Sequence, residues 1–268
     1  MKTIQLERPE YLKINKIFGL LFIFALLTSC SKKENEKTNA EASYVEAMKL
    51  LKKKDYSEAA TEFEKIDDDF PFSKWALKAQ TMATYARYKN EDYVKLVANV
   101  DDFLRLNPSS EYVPYMIYIK GLTYYNQITD IERAQDNAQQ ASFIFRELIA
   151  RFSQTDYADD AKGKLSFIDE HLAGAKMAIG RYQIASRNYV GAVISFNEVL
   201  SRYRYTKQTP EAYFRLVEVY YKIGLREEGE KTKQKLQQKF PDDYWTKIAT
   251  KIIPDKLRQT QISNDPNL

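Results

Sequence analysis

Apolar residues along most of this chain recur at intervals of three and four, the spacing of one face of an α-helix. The longest such series is Ala158, Ala161, Leu165, Ile168, Leu172, Ala175, Ile179 and Tyr182. It predicts a helix from about Tyr157 to Ser186, roughly 45 Å long at 1.5 Å per residue. A seam of this kind fits either a dimeric coiled coil or an overlong repeat helix that joins two halves of the molecule.

Five apolar-periodic stretches end in a similar way, and three of them end in proline, which stops a helix because it lacks an N–H. They are Asp69-Phe70-Pro71, Leu106-Asn107-Pro108, Arg151-Phe152-Ser153, Arg202-Tyr203 and Lys239-Phe240-Pro241. Pro71 and Pro108 lie 37 residues apart. This period predicts an all-α tetratricopeptide-repeat solenoid of about five helix pairs with one overlong connecting helix. Extra polar residues from Thr129 to Gln140 predict an inserted loop.

The N-terminal segment has the order of a secretory signal. Lys13 and Lys16 precede the apolar run 17–27, which is too short to span a bilayer, and small residues follow. A leucine three positions before Cys30 resembles the bacterial lipobox, in which the cysteine is acylated. We therefore expect a covalent N-acyl diacylglycerol lipid on Cys30; the alternatives are a buried free thiol or a short core helix. Because Ser31 rather than Asp follows, the sorting rule of enteric bacteria points to the outer membrane.

Charge and side-chain chemistry indicate a binding protein more than an enzyme. Removing the signal lowers the formal net charge from +4 to about +2, which gives no reason to expect nucleic acid as a partner. His171 is the only histidine and lies beside the apolar seam, without a second histidine or a cysteine for a metal site. We expect no catalytic residues, no metal and no cofactor apart from the lipid. The abundant aromatic residues of the first repeats suit either a peptide groove or packing between helices.

Several stretches, in order along nearly the whole mature chain, resemble the BamD family, tetratricopeptide lipoproteins of the β-barrel assembly machinery. They are residues 70–76, 85–90, 103–108, 115–122, 155–161, 172–173 and 188–193. The chain departs from the family pattern at Arg133-Ala134-Gln135, Lys176, Tyr182-Gln183 and Ser195. The last departure puts the family's detailed docking contacts in question, because a basic residue is common at that position.

The resemblance implies a division of labour along the chain. Residues 1–29 are the signal peptide, 30–41 a lipidated flexible tether and 254–268 a flexible tail. Residues 42–155 form substrate-facing repeats, and 156–253 form the long helix and the repeats that dock a partner. The expected partners are unfolded outer-membrane proteins, a BamA-like barrel-forming subunit, other lipoproteins of the complex and, through the lipid, the periplasmic face of the outer membrane.

The same resemblance suggests site residues for both roles. For the C-terminal targeting segments of unfolded barrel proteins, the predicted peptide-binding residues are Phe72, Trp75, Tyr85 and Tyr88. For docking of the barrel-forming subunit, the predicted residues are Arg187, Tyr189 and Tyr213. Two alternatives stay open: a tetratricopeptide lipoprotein that organises peptidoglycan enzymes or pilus assembly, and, with least support from the residues, a peptidoglycan-active enzyme.

Overall fold

A computed structural model describes residues 32–131 and 133–251, with only the backbone for residues 32–38. This part of the chain contains eleven helices and no strand. In chain order they are α1 Lys32–Lys53, α2 Tyr56–Asp69, α3 Ala76–Lys89, α4 Tyr93–Leu106, α5 Val113–Tyr125, α6 Asp136–Arg151, α7 Asp156–Ala185, α8 Tyr189–Arg202, α9 Thr209–Lys222, α10 Arg226–Lys239 and α11 Tyr244–Ala249. The predicted all-α class is confirmed.

The helices form two compact units, residues 1–99 and 100–268, and the division falls within α4. In the first unit α2 packs against both α1 and α3. In the second, each helix from α5 to α10 packs against the next, and α11 packs on α9. Short connections place such neighbours antiparallel, so the predicted helix pairs are present. The division at residue 99 does not coincide with the boundary at 155 that separates the predicted substrate-facing repeats from the predicted docking repeats. The assignment of these two roles stays a prediction.

The helix ends anticipated from the sequence are found where they were expected. Helices α2, α4, α6, α8 and α10 end immediately before Phe70, Asn107, Phe152, Tyr203 and Phe240, whose backbone N–H groups each donate to the carbonyl four residues earlier. This turn satisfies one of the carbonyls left open at a helix C-terminus. The repeat has a structural counterpart at this point, because Phe70, Phe152, Tyr203 and Phe240 leave the helix with similar φ angles, between −122° and −138°.

A second repeated turn was not anticipated from the sequence. Lys54, Glu91, Arg187 and Gly224 each adopt a positive φ, between 58° and 83°, at the turn inside a helix pair. Lys54 and Glu91 are 37 residues apart, as are Arg187 and Gly224. In each case the next residue donates its N–H to a carbonyl five positions back, which is the bond of a Schellman turn. Three of these turns read Lys-Asp-Tyr, Glu-Asp-Tyr and Arg-Asn-Tyr, a signal visible in the sequence.

Helix α7 agrees closely with the predicted span. Its N-cap is Thr155, whose Oγ1 accepts a hydrogen bond from the Ala158 N–H at 3.2 Å. Within a single chain, the predicted seam is buried or half-buried from Ala158 to Ala175, so this part packs internally. Further along, Ile179 is 46% and Tyr182 72% exposed. A straight helix of 3.6 residues per turn drifts away from a seven-residue repeat, and the buried face has turned by this point.

The N-terminal boundary differs in part from the expectation. Helix α1 begins at Lys32, inside the stretch predicted to be a flexible tether, and Ala40 is completely buried. A small apolar residue at a helix contact accounts for that burial, which the polar composition of the stretch did not indicate. The signal peptide, Cys30 and the predicted tail 254–268 lie outside the described residues.

Candidate functional site

The four residues predicted to bind a peptide all lie in the first unit, around the start and one side of α3. Phe72, in the turn before the helix, is fully exposed, while Trp75 is half-buried and Tyr85 is 36% exposed. Tyr88 is half-buried and has contacts of its own. Spacings of three and four along α3 place Trp75, Tyr85 and Lys78 on one side of the helix. The structure thus brings Trp75 and Tyr85 to a common face, with Phe72 beside its start.

Trp75 is the centre of a cationic aromatic cluster. Its ring lies 4.8 Å from the ring of Tyr44, which belongs to α1. Lys78 Nζ lies over both rings, 5.2 Å from Trp75 and 5.1 Å from Tyr44, and Lys74 Nζ lies 5.3 Å from Trp75. These are cation–π distances. We call Tyr44, Phe72, Lys74, Trp75 and Lys78 the aromatic–lysine patch.

The aromatic–lysine patch has chemistry that suits an anionic peptide. Among the described residues, neither Lys74 nor Lys78 is in an ion pair, so both charges are available to a carboxylate. Trp75 Nε1 is buried without a hydrogen-bond partner. A buried N–H without an acceptor costs free energy, about 1–3 kcal/mol, that a ligand oxygen reaching it would recover.

A partly buried ionic network joins α2 and α3 near the C-terminal end of α3. Arg87 of α3 donates from Nε and Nη2 to the two oxygens of Glu64 on α2, at 2.6 and 2.5 Å, and from Nη1 to Asp92 at 2.7 Å. Asn99 Nδ2 donates to Glu64 Oε1 at 2.8 Å. The hydrogen bonds to Glu64 keep the pKa of Arg87 above its usual value, so the guanidinium stays charged. The network fixes α3 relative to α2 and thus the position of Trp75.

The predicted docking residues do not form one surface in the second unit. Arg187 is exposed and Tyr189 is half-buried, and both belong to the repeated turn between α7 and α8. Tyr213 is only 7% exposed and packs in the core with Phe214, Leu236 and Phe240. Its burial follows from its position on the inner side of α9, where an aromatic ring fills the space between repeats. Tyr213 therefore presents no ring for a direct docking contact.

Exposed apolar residues that the sequence analysis missed lie on both helices that flank this turn. Val190 and Ile194 of α8 are 70% and 64% exposed, and Ile179 and Tyr182 of α7 are also exposed. We call these four residues the α7–α8 outer face. The signal was present in the sequence, since α8 carries more apolar residues than one buried side requires. It was not recognised because burial cannot be assigned to one side of a short helix by periodicity alone.

Two departures from the family pattern lie beside the outer face and are satisfied within the chain. Ser195 Oγ donates to Gln183 Oε1 at 2.8 Å, and Lys176 forms an ion pair with Glu198 at 2.7 Å. Both contacts join α7 to α8. Ser195 is 6% exposed, and its side chain serves this internal contact.

The search for catalytic and membrane features covers only the described residues. No group of three or more His, Cys, Asp or Glu side chains there is arranged to hold a metal ion. None of the helices in residues 32–131 and 133–251 is both long and apolar enough to cross a membrane. His171 lies half-buried at the edge of a cavity, where burial lowers its pKa and the charge of Asp130 opposes that shift.

The fold and these surfaces define a helical-repeat protein built from stacked helix pairs. Residues 36–246 match the model of a family described as YfiO, outer membrane lipoprotein. Proteins named outer membrane protein assembly factor BamD are similar along most of their length. The relative from Caulobacter vibrioides is 33% identical over 220 residues, 82% of this chain and 72% of the relative. That from Rickettsia prowazekii is 30% identical over 246 residues, 90% of this chain and 98% of the relative.

The chain therefore belongs to this family of outer membrane lipoproteins, the BamD family, as its sequence motifs predicted. The relative from Vibrio cholerae, also named BamD, is 27% identical over 238 residues, 84% of this chain and 98% of the relative. Among solved structures, one of the pilus biogenesis factor PilW aligns with 79% of this chain and 98% of its own at 12% identity. Its TM-score of 0.27 does not establish a common fold.

Proposed function

We propose that this chain is a non-enzymatic lipoprotein that takes part in the assembly of β-barrel proteins in the outer membrane. Its family and the name shared by its relatives support this role. The main structural observation in its support is the aromatic–lysine patch. There Lys78 lies over the rings of Trp75 and Tyr44, Lys74 lies over that of Trp75, and neither lysine forms an ion pair within the described residues. The patch recognises the C-terminal targeting segment of an unfolded barrel protein, and no bond is made or broken.

The chemistry of such a segment fits the patch. An extended strand places alternate side chains on one side, and its terminus carries a carboxylate. The exposed ring of Phe72 receives an apolar or aromatic side chain, while Lys74 and Lys78 attract the carboxylate.

Peptide binding to the full chain tests this assignment. The probe is a synthetic peptide of about ten residues, the length of one barrel strand, taken from the C-terminus of a barrel protein of the same cell. The same peptide with an amidated terminus and a scrambled version serve as comparisons. We expect Phe72→Ala and Lys78→Gln to weaken binding about tenfold, and amidation to act like Lys78→Gln.

The matched control is Phe143→Ala, which removes an exposed phenylalanine from α6 in the second unit. Equal binding of the scrambled peptide, or equal loss with Phe143→Ala, refutes the assignment of the patch. Circular dichroism spectra of the variants establish that each remains folded.

The α7–α8 outer face docks the periplasmic part of a BamA-like barrel-forming subunit. Ile179, Tyr182, Val190 and Ile194 present apolar side chains to solvent, and an exposed apolar surface of this kind marks an interaction site. The neighbouring Arg187 is exposed and supplies a charge at its edge. Other lipoproteins of the assembly complex are further partners of this proposal.

Affinity purification from solubilised envelopes tests the docking. The wild-type chain co-purifies a barrel protein with periplasmic repeat domains, and Ile194→Glu abolishes that co-purification by placing a charge in an apolar contact. Val94→Glu is the matched control, because Val94 is 85% exposed and lies in the first unit. Recovery of peptidoglycan enzymes or pilins in place of the barrel protein would instead support the alternative scaffold function.

Attachment through a lipid on Cys30 holds the chain at the periplasmic face of the outer membrane. Each buried methylene of an acyl chain contributes about 0.8 kcal/mol, so two or more chains attach a protein stably. Cys30→Ala should release the protein from sedimented membranes and leave its circular dichroism spectrum unchanged. A variant that still sediments with the outer membrane after a high-salt wash would contradict the lipid anchor.

A further inference from the structure

The loop between α5 and α6 and the middle of α7 line an open pocket of about 920 Å³ in the second unit. Its lining residues are Tyr125, Ile128, Thr129, Asp130, Ile131, Arg133, Phe167 and His171. We call it the loop pocket. Its volume lies within the range of about 300–1,000 Å³ that is usual for ligand sites. Neither the family nor the functions proposed above assign a role to it.

The loop has a defined shape at this cavity. Gln135 Nε2 donates to the carbonyl oxygens of Asp130, at 3.1 Å, and of Arg133, at 2.8 Å, and so closes the loop on itself. The methyl groups of Ile131 lie 3.8 and 3.9 Å from the position that a Cβ on Gly174 would occupy. The loop is thus held against α7, and the residues of its rim stand at fixed places around the cavity.

Aromatic rings form one wall of the loop pocket. Tyr125 and Phe167 make an edge-to-face contact with centroids 5.7 Å apart, and Phe167 stacks on His171 at 6.2 Å. Phe167 is 52% exposed although its neighbours are packed. An aromatic side chain from outside adds to such a row of rings by the same offset stacking.

The polar groups of the pocket are incompletely satisfied. His171 Nε2 is inaccessible to solvent and has no hydrogen-bond partner. The negative charge of Asp130 raises the pKa of His171 and so opposes the lowering that burial causes. Arg133 is exposed and forms no ion pair within the described residues. Asp130 therefore acts on the His171 side of the pocket, whereas Arg133 supplies a positive charge at the rim for an anionic group of a ligand whose apolar part contacts the rings.

We propose that the loop pocket binds an aromatic side chain of a partner polypeptide that carries a carboxylate on the adjacent residue. The ring stacks on Phe167 and His171, and the carboxylate pairs with Arg133. This site is separate from the aromatic–lysine patch and does not depend on the function proposed for it.

The single histidine makes the test direct. In full chain carrying a histidine-free affinity tag, the imidazole signals of His171 are the only ones in a spectrum of histidine-labelled protein. The probe is the blocked peptide acetyl-Gly-Phe-Asp-Gly-amide. We expect it to shift the His171 signals in a saturable way at millimolar concentration. The peptide with Ala in place of Phe should have no effect, and the one with Asn in place of Asp should bind about fivefold more weakly.

Variants assign the contacts. Arg133→Gln should bind the Asp and Asn probes equally. Phe167→Leu, which keeps an apolar side chain and the fold, should lose the stacking contact and bind the Asp probe at least about fivefold more weakly than the parent does. Phe143→Ala, which removes an exposed ring outside the pocket, should change nothing.

Three outcomes would overturn the proposal. They are no movement of the His171 signals up to about 10 mM probe, an equal response to the Ala probe, and an unchanged preference for Asp over Asn in Arg133→Gln. None of these outcomes bears on the peptide binding of the aromatic–lysine patch, so the two proposals fail independently.

Discussion

Replacing Arg87 by methionine removes the central cation of the first unit while keeping most of its volume. The guanidinium is 8% exposed and makes three charge-assisted hydrogen bonds, two to Glu64 and one to Asp92. Methionine leaves both carboxylates without their cation between packed helices. The expected result is a first unit that unfolds more readily.

The size of the effect follows from the burial of the partners. Breaking a fully buried ion pair by removing one member costs about 3–5 kcal/mol. Here Glu64 and Asp92 are 33% and 27% exposed, so water can solvate them again in the variant. We therefore expect Arg87→Met to lower the free energy of unfolding by roughly 2–3 kcal/mol. Glu64→Leu in the same background should restore part of this loss, because it removes the stranded charge.

Fluorescence of one tryptophan isolates the unit concerned. The chain has two tryptophans, Trp75 in the first unit and Trp245 in the second, so a Trp245→Phe background leaves Trp75 as the only reporter. Urea unfolding of the parent, both single variants and the double variant gives the coupling energy between Arg87 and Glu64. A loss below about 0.5 kcal/mol, or no coupling, would refute the assignment of a buried network.

Two further predictions concern α7. Gly180→Ala should destabilise the protein by about 1–3 kcal/mol, because the added Cβ overlaps the Phe196 ring. Gly163→Ala, whose Cβ enters open space, should stabilise the protein by about 0.5–1 kcal/mol. Thermal unfolding compares the two variants, and equal effects would contradict the close packing of Gly180 against Phe196. His171 should titrate below its ordinary pKa of about 6.5 because it is buried, and Asp130→Asn should lower that pKa further. Because the folded state favours the neutral imidazole, its contribution to stability is fully present above pH 6.5 and falls as the pH drops from 6.5 to the pKa of the folded state. An NMR titration measures the pKa of His171, and a higher pKa in the Asp130→Asn variant would refute the prediction.

Much of the helical architecture could be read from local chemistry. The five helix ends at Phe70, Asn107, Phe152, Tyr203 and Phe240 and the span of α7 were predictable, because proline, apolar periodicity and turn residues act within a few positions of the chain. The turn residues Lys54, Glu91 and Arg187 carried a further local signal, the repeated Asp-Tyr or Asn-Tyr that follows them.

The candidate sites were only partly predictable for a different reason. Tyr213 and Trp75 are both aromatic residues at helical spacing, yet one lies in the core and the other faces two lysines. The difference depends on which neighbouring helix covers each ring, and such contacts join residues far apart in sequence. The loop pocket was not predicted because its lining joins the loop around Arg133 to His171 of α7, and no spacing along the chain indicates that these segments meet.

The sequence by itself determined the family, the helices and their ends, since motifs and helix signals lie within short stretches of chain. Only the tertiary structure decided that the seam of α7 is buried up to Ala175 and turns to solvent at Tyr182. It also decided that Ser195 bonds to Gln183 within the chain and that Arg87 is enclosed by two carboxylates. Each of these results depends on the packing of one helix against another, which fixes burial and partners that the order of residues leaves open.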